Sequence, residues 1–312
     1  MTVSVASVTT AYNAARVLPR QMQALLRQTR PLEEIIVVDN ASCDRTRALL
    51  ADRYPQVTVL RMPQNVGAAG AWSAGLAYAA LQRKHNWVWT FDDDSVPEDV
   101  ALGKLMQVAE SRKTLPDETG RGGPIGMISA MPVNPKTGAC YPPLHWSEGF
   151  VKPRDDELRQ PLFFADLAFT SGSMVSREMV ETIGLPRSDF FMDFFDFEYC
   201  LRARSCGYRI AVVPQARMAH EVGRARPVRL PGFRGVWPDH APWREYYIGR
   251  NMTYAVWWLY PSDRAKRFTL RHLARHAGGV LFFGNDKVSS LQKMAQGFWD
   301  GKRARLGIRF RP

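Results

Sequence analysis

The 312-residue chain contains little cysteine and no long hydrophobic run. Its four cysteines, Cys43, Cys140, Cys200 and Cys206, are too few for a disulfide-rich protein and include no CxxC metal pair. No stretch approaches the roughly 20 apolar residues that a membrane-spanning helix needs. The first residues lack the basic segment and apolar run of an export signal, so a cytoplasmic location is expected.

The composition is that of a globular protein, with 46% hydrophobic and 23% charged residues. The formal charge of +12 comes from 42 Lys and Arg against 30 Asp and Glu, and it is concentrated at one end. Residues 264–312 contain 12 of the basic residues and only two acidic ones, Asp286 and Asp300. A nucleic-acid-binding protein would spread basic and aromatic residues across one face, so this class is only an alternative and no nucleic acid is expected as a partner.

Up to residue 112, short β-branched runs alternate with helical patterns in the rhythm of βαβ units. Strands are predicted at residues 3–9, 35–38, 57–60 and 87–91, and helices at 16–28, after Asp44, at 69–83 and from Pro97. Strands that are buried on both faces indicate a mainly parallel sheet, whose ligands bind beyond the carboxyl ends of the strands. The candidate ligand-binding residues are therefore the polar ones that directly follow strands, namely Asp39 and Asn40 after the second strand and the aspartates at 92–94 after the fourth.

The remainder of the chain has a looser pattern. Further strands are predicted at residues 125–131 and 209–213, and a helix begins near Asp193 and ends at Gly207. Beyond about residue 223 the composition shifts to Arg, Pro, Trp and Tyr, and helical periodicity returns near Asn251 and again after Ser262.

Three adjacent carboxylates, Asp92, Asp93 and Asp94, would repel one another in a partly desolvated crevice unless a cation were close by. Because side chains alternate along an extended segment, Asp92 and Asp94 point to one side and can hold a hard divalent ion such as Mg²⁺ or Mn²⁺. The alternative is helix capping, since Ser95 and Glu98 have the spacing of a capping box. Capping leaves the three aspartates unexplained.

Five segments, in this order, resemble the inverting glycosyltransferases of family 2, which have the GT-A fold. The segments are VVDNAS at residue 37, NVGAAG at residue 65, FDDD at residue 91, TSGS at residue 170, and DFEYCLR at residue 196 followed by His220. The resemblance spans roughly residues 3–223. Within the family the chain is most similar to the bacterial galactofuranosyl- and rhamnosyltransferases that extend cell-surface polysaccharides. The segment YYIGRN at residue 246 also resembles one that follows their catalytic core.

The resemblance implies an α/β fold of the GT-A type: a Rossmann-like, mostly parallel central sheet with flanking helices, plus a C-terminal helical extension. Residues 1–112 would form the nucleotide-sugar-binding half of the GT-A domain. Residues 113–223 would form the half that binds the acceptor and supplies the catalytic base. Residues 224–312 would form a basic, mainly helical C-terminal region.

The implied activity is the metal-dependent, inverting transfer of galactofuranose or rhamnose from a UDP- or dTDP-sugar to a lipid-linked or growing cell-surface glycan. By similarity, Asp92, Asp94 and His220 hold Mn²⁺ or Mg²⁺ on the pyrophosphate, and Asp93 touches the ribose or the donor sugar. The alternative for His220 is ordinary hydrogen bonding. A sugar-nucleotide pyrophosphorylase is a second enzyme class with a metal-binding aspartate, but residues 9–13 lack the Gly-rich basic loop that it would carry.

The resemblance also implies that Asp196 is the base that removes the proton of the acceptor hydroxyl. The family usually has an acid immediately before this residue, whereas this chain has Phe195. The more apolar surroundings should raise the pKa of Asp196 by desolvation. Asp193 is the second candidate, and helix capping is the alternative role for either aspartate.

The nucleotide-binding residues implied by the resemblance are Thr10, Tyr12, Asp39, Asn65 and Gly67. Asp39 would accept the imide N–H of the base, which uracil and thymine share, so the motif does not distinguish UDP from dTDP. Thr10 and Tyr12 would form a wall of the nucleobase site, and Asn65 and Gly67 would approach the ribose or phosphate. Tight helix packing is the alternative reason for the glycine.

The acceptor side is implied to include Thr170, Ser171, Gly172 and Ser173, which resemble the loop beneath the transferred sugar. The aromatic residues Trp146, Phe190 and Phe191 could stack on a sugar, with core packing as the alternative.

The chain after Pro261 has the pattern of a basic amphipathic helix. The apolar positions are Leu270, Leu273, Ala274, Ala277, Val280 and Leu281, and Arg267, Arg271 and Arg275 fall on another face. This pattern is consistent with attachment to an anionic membrane surface, on the inner face of the cell membrane, or with a helix packed on the core.

Overall fold

The computed structural model describes residues 3–111, 122–220, 225–230, 233–238 and 240–312. A nine-stranded mixed sheet forms its centre, and two strand pairs lie apart from it. The strands are β1 (Val5–Ala11), β2 (Glu34–Asp39), β3 (Thr58–Arg61), β4 (Trp87–Asp92), β5 (Val96–Pro97), β6 (Ile125–Val133), β7 (His145–Trp146), β8 (Phe150–Val151), β9 (Phe163–Ala165), β10 (Ser173–Ser176), β11 (Arg209–Ala219), β12 (Ala225–Leu230) and β13 (Phe233–Pro238).

Helices flank the sheet and form the C-terminal region. They are α1 (Leu18–Leu26), α2 (Thr46–Arg53), α3 (Gly67–Leu76), α4 (Ala101–Ser111), α5 (Asp155–Arg159), α6 (Arg177–Ile183), α7 (Phe195–Ser205), α8 (Pro242–Tyr254), α9 (Asp263–Phe283) and α10 (Lys287–Lys302). π-helical turns continue α3 over Ala77–Gln82 and α8 over Ala255–Leu259. In the described part of the chain, no helix is both long and apolar enough to cross a membrane.

The strand order of the central sheet is β3-β2-β1-β4-β10-β6-β11-β5, with β9 paired to β11. Strands β1 to β4 are parallel, as the βαβ rhythm predicts. The second half of the sheet is mixed, because β10 runs antiparallel between β4 and β6. The chain reverses just before β10 at Gly172, which has a left-handed φ of 83° that favours glycine.

The sheet is buried on both faces, which explains why β2 is apolar at four successive positions. Ile36 and Val38 pack with Trp72 of α3 on one face. Ile35 and Val37 belong to the apolar layer on the other face, together with side chains of α1 and α4. This arrangement places the carboxyl ends of β1 and β4 side by side at one edge of the fold.

The segment after the three aspartates differs from the sequence expectation. Helix α4 begins at Ala101, not at Pro97, and Val96–Pro97 instead form the short strand β5, paired with the end of β11. β11 extends six residues beyond the predicted end at position 213. The capping-box interpretation of Ser95 was therefore wrong, since tertiary pairing with β11 overrides the local helix-start signal.

Glycines determine how closely α8 and α10 approach each other. A Cβ added at Gly297 would lie 2.0 Å from the carbonyl oxygen of Tyr246, and one at Gly301 would lie 2.4 Å from that of Arg250. The backbones of the two helices are thus in direct contact at these positions.

The strand pair β12 and β13, which the sequence did not predict, precedes α8.

We expect Gly297→Ala to lower the free energy of unfolding by about 1–3 kcal/mol, because the added methyl group meets backbone. Gly278→Ala is the matched control, since Gly278 lies in α9 and has no atom within 4 Å of an added Cβ. This control should stabilise the protein by about 0.5–1 kcal/mol through helix propensity. Denaturant unfolding of both variants measures the difference, and equal stabilities would contradict the close helix contact.

Candidate active site

A cleft opens at the carboxyl ends of β1 and β4. It consists of two adjoining pockets, of about 370 Å³ and about 260 Å³. Asp92, Met192, His220 and Arg244 line both pockets, so the two form one continuous site. We call the larger one the nucleotide pocket, because it contains most of the residues predicted to bind the nucleotide. We call the smaller one the base pocket, because it contains Asp196, the predicted catalytic base.

The three aspartates lie together in the nucleotide pocket, as the sequence predicts. Within the described residues, the Asp92 carboxylate accepts no hydrogen bond, and burial raises its pKa, as does Asp94. Asp93 differs, since its Oδ2 accepts the backbone N–H of Tyr12 at 3.2 Å. Burial nevertheless raises the pKa of Asp93 to about 7, with Asp92 and Asp94 adding to the effect.

His220 reaches this cluster because β5 pairs with the end of β11. Its Nδ1 lies 3.3 Å from Asp94 Oδ1 and 2.7 Å from Ser95 Oγ. Ser95 Oγ is also 2.6 Å from Ser171 Oγ, so the hydroxyl that could have capped a helix links the histidine to the 170–173 loop. Burial alone would lower the pKa of His220, but Asp94 and Asp92 outweigh it and raise the pKa.

The donor set of Asp92, Asp94 and His220 fits a divalent cation. Carboxylate oxygens are the ligands preferred by Mg²⁺ and Mn²⁺, and such ions usually take one or two carboxylates plus phosphate oxygens and water. The half-buried carboxylate of Asp92, which accepts no hydrogen bond among the described residues and lies close to Asp94, is the feature that calls for a positive charge. In the described ranges, however, no three His, Cys, Asp or Glu side chains are arranged as a preformed metal cluster.

The other predicted nucleotide-binding residues do not all line the pocket. Thr10, Tyr12, Asn65 and Gly67 do, whereas Asp39 lies beneath it and is fully buried. The oxygens of Asp39 accept the Ser42 N–H at 2.9 Å and the Arg61 guanidinium at 3.0 Å. Asp39 lines neither pocket of the cleft, so its role toward the nucleobase stays a prediction.

Asn40, the second polar residue that the sequence analysis places after β2, also lines the nucleotide pocket. Its Nδ2 donates to Asn65 Oδ1 at 3.1 Å, and its Oδ1 accepts the Val66 N–H at 2.9 Å. Asn40 thereby holds the loop of Asn65 and Gly67, which is predicted to approach the ribose or phosphate. Its position directly after Asp39 was the signal that the sequence offered.

Gly67 has a packing reason for being glycine. Its φ is 75°, and an added Cβ would lie 2.1 Å from the carbonyl oxygen of Phe191. The alternative that this glycine serves close packing is supported, and its role in donor binding stays a prediction. Phe191 is fully buried, with its ring 4.8 Å from that of Tyr247.

The 170–173 loop contributes Thr170 and Ser171 to the base pocket. Gly172 and Ser173 instead connect strands: the Gly172 N–H donates to the Thr90 carbonyl at 2.8 Å, and Ser173 starts β10. The Thr170 hydroxyl is buried and has no hydrogen-bond partner among the described residues. It is therefore free to bond a ligand hydroxyl.

The aromatic residues considered for sugar stacking belong mainly to the core. Phe190 is fully buried, and Trp146 packs against Phe150 and Phe268. Neither lines a pocket of the cleft.

Asp196 lies in the first turn of α7 and lines the base pocket. Burial raises its pKa to about 7, and although the Phe197 N–H bond opposes the shift, Asp193 and Asp92 add to it. The apolar neighbour Phe195 is 6% exposed and packs edge-on against Trp72. The raised pKa agrees with the expectation from the sequence.

Asp193, the second candidate for the base, is held in a bidentate ion pair. Arg244 Nε lies 2.9 Å from Asp193 Oδ2, and its terminal nitrogen lies 2.8 Å from Oδ1. The pKa of Arg244 is raised, chiefly by Asp193. Sequence reasoning missed Arg244, although it lies two residues before the YYIGRN segment.

The sequence is similar to those of two bacterial glycosyltransferases. It is 28% identical over 222 residues to the dTDP-rhamnosyl transferase RfbF of Shigella flexneri, covering 70% of this chain and 68% of that protein. It is 26% identical over 268 residues to the galactofuranosyltransferase GlfT1 of Mycobacterium tuberculosis, covering 82% of this chain and 83% of that protein.

The fold is similar to those of two solved enzymes that were crystallised with UDP. S. aureus TarS 1–349 in complex with UDP matches with a TM-score of 0.56 and 13% identity, over 97% of this chain and 83% of that one. GalNAc-T7 with UDP, GalNAc and Mn²⁺ matches with a TM-score of 0.61 and 18% identity, over 96% of this chain and 56% of that one.

The fold and the similar sequences define a glycosyltransferase with the GT-A fold. Residues 7–123 match the sequence profile of Glycosyl transferase family 2. The family resemblance inferred from the sequence is thereby confirmed, and the pyrophosphorylase and nucleic-acid-binding alternatives are set aside.

Proposed function

We propose that this glycosyltransferase moves a rhamnosyl or galactofuranosyl group from a dTDP- or UDP-sugar to a glycan or glycolipid acceptor, with inversion at the anomeric carbon. The observation that carries the proposal is the continuous cleft in which Asp92 lies between the nucleotide pocket and Asp196. The names of RfbF and GlfT1 support the choice of sugars. The donor would bind mainly to residues 1–112 and the acceptor to residues 113–223.

We assign Asp92, Asp94 and His220 to a Mn²⁺ or Mg²⁺ ion, which would neutralise charge on the diphosphate leaving group. The ribose and the nucleobase of the donor would be bound by Asp93, Thr10 and the loop before α3, with Asp39 beneath the nucleobase. Because the Asp93 carboxylate accepts the Tyr12 N–H, it is oriented toward the carboxyl end of β1.

The proposed chemistry is a direct displacement. The Asp196 carboxylate takes the proton from the acceptor hydroxyl as that oxygen bonds to the anomeric carbon, and the bond from this carbon to the diphosphate oxygen breaks. The products are the glycosylated acceptor, protonated Asp196 and a nucleoside diphosphate. Thr170 and Ser171, which line the base pocket, would orient the acceptor hydroxyl.

We expect Asp196→Asn to lower turnover by about 10²–10⁴-fold, because an amide does not accept the proton. The base acts as a carboxylate and its pKa is about 7, so wild-type turnover should fall as the pH drops below that value. This acid limb should disappear from the residual activity of the variant. The measurement is turnover against pH with dTDP-rhamnose and UDP-galactofuranose as donors.

Asp193→Asn separates the two candidate bases. Since Asp193 is paired with Arg244, this variant should lose activity through altered geometry and still show the acid limb. The assignment of Asp196 would be overturned by the reverse pattern, in which Asp193→Asn removes the limb and Asp196→Asn keeps it.

We further propose that α9 attaches the enzyme to an anionic membrane surface. One face of this helix packs inward through Leu273 and Val280, whereas Leu270, Leu281 and Phe282 are 47%, 52% and 74% exposed. The arginines of the same helix at 267, 271 and 275 are also exposed. Such a face suits a membrane surface, where the apolar side chains can enter the acyl region and the arginines can contact the negatively charged headgroups.

The membrane proposal is tested with Leu281→Glu and Phe282→Glu combined. Deleting residues 264–312 is unsuitable, because α10 packs along α8 and Tyr247 Oη donates to the Phe310 carbonyl at 2.8 Å. The double variant should lose salt-sensitive cosedimentation with phosphatidylglycerol vesicles by about tenfold or more. Val100→Glu, at a 42%-exposed valine elsewhere, is the control and should bind as wild type does. Equal binding of all three proteins would remove the proposal.

A further inference from the structure

The five residues at 190–194 have an unusual backbone. Phe191 has φ 63° and ψ −60°, and the Met192 N–H donates to the Phe190 carbonyl at 2.7 Å, which closes a γ-turn. Asp193 and Phe194 are also left-handed, with φ of 59° and 63°. None of these residues is glycine, so the conformation persists only where the surrounding structure imposes it.

Asn251 of α8 supplies much of that constraint. It is fully buried, and its Nδ2 lies within hydrogen-bond distance of three carbonyl oxygens of the segment: Phe190 at 2.9 Å, Met192 at 2.6 Å and Asp193 at 2.8 Å. Because the amide nitrogen carries two hydrogens, one of them is shared between two of these oxygens.

Arg250, the neighbouring residue, reinforces the contact. Its guanidinium is fully buried and donates to the carbonyls of Asp189 at 3.0 Å and Phe190 at 2.8 Å. Its Nε donates to Asn251 Oδ1 at 2.8 Å, which orients the amide toward the segment. The two side chains therefore act on the same turn.

The segment contacts residues of both pockets of the cleft. The Phe191 carbonyl accepts the Ala69 N–H at 3.1 Å and lies against Gly67, in the nucleotide pocket. Asp193 pairs with Arg244, which lines both pockets. Phe194 directly precedes α7, whose first turn presents Asp196.

We propose that Arg250 and Asn251 are positioning residues for glycosyl transfer, holding residues 190–194 so that Gly67, Arg244 and Asp196 keep their mutual geometry. The inference rests on the proposed function for its effect on turnover. Its structural part, the constraint on the segment, is measured independently of activity.

The test uses Asn251→Leu, which keeps the number and branching of the side-chain heavy atoms and removes the donors. Turnover per nucleotide-binding site should fall roughly 100-fold, because small displacements of reacting groups are that costly. The dissociation constant for the nucleotide should change by less than about fivefold, since most of its pocket lies outside the segment. A purely structural role would lower the yield of folded protein and leave turnover per site unchanged.

Thr253→Val is the matched control. Thr253 is buried on the same helix, and its hydroxyl has no hydrogen-bond partner among the described residues. Turnover of this variant should stay within about twofold of wild type. Asn251→Ser is the second test variant for the case that leucine prevents folding, because water can replace the missing donors beside the smaller side chain.

Amide hydrogen exchange over residues 189–196 gives the readout that needs no substrate. Exchange should be faster in Asn251→Leu and Asn251→Ser than in Thr253→Val. Unchanged exchange and turnover in the Asn251 variants would overturn the inference. If wild type transfers no sugar from either donor while exchange still accelerates, the proposed function fails and the constraint on the segment stands.

Discussion

The arrangement of the cleft depends on the burial of carboxylates beside one another. Five acidic side chains line it, three from the end of β4 and two from the start of α7. Arg244 and His220 are the basic residues that face them from the described part of the chain, and Arg244 is already paired with Asp193. Burial raises the pKa of Asp92, Asp93 and Asp196, which means that the residues around them do not fully stabilise their ionised forms. A bound cation would supply the missing stabilisation.

The fold brings distant segments to this edge through three connections. The β5–β11 pairing brings His220 to Asp94, and the turn at Gly172 places Ser171 beside Ser95. Contacts from α8 to residues 190–194 then orient the start of α7. The C-terminal region is thus part of the active site's support, although it lies outside the residues that match the family 2 profile.

The sequence predicts the half of the fold in which local pattern and burial agree. The apolar runs of β2 and β4 lie in a sheet covered on both faces, and the aspartates that end β4 do line a cleft. The predicted helix start after Ser95 was wrong because that signal is local, whereas the side-chain partners of Ser95, His220 and Ser171, are distant in sequence. Arg244 was missed for the same reason, and the left-handed turn at Phe191 carries no glycine that would have revealed it.

The most direct test of the account is the affinity for UDP and dTDP, measured calorimetrically with and without Mn²⁺. Wild type should bind at least about tenfold more tightly when Mn²⁺ is present, because an ion held by Asp92 and Asp94 would neutralise charge on the diphosphate. A variant with both Asp92→Asn and Asp94→Asn, which keeps the side-chain shapes, should lose this gain. Nucleotide binding that is indifferent to Mn²⁺ in wild type, or a gain that survives both substitutions, would contradict the account.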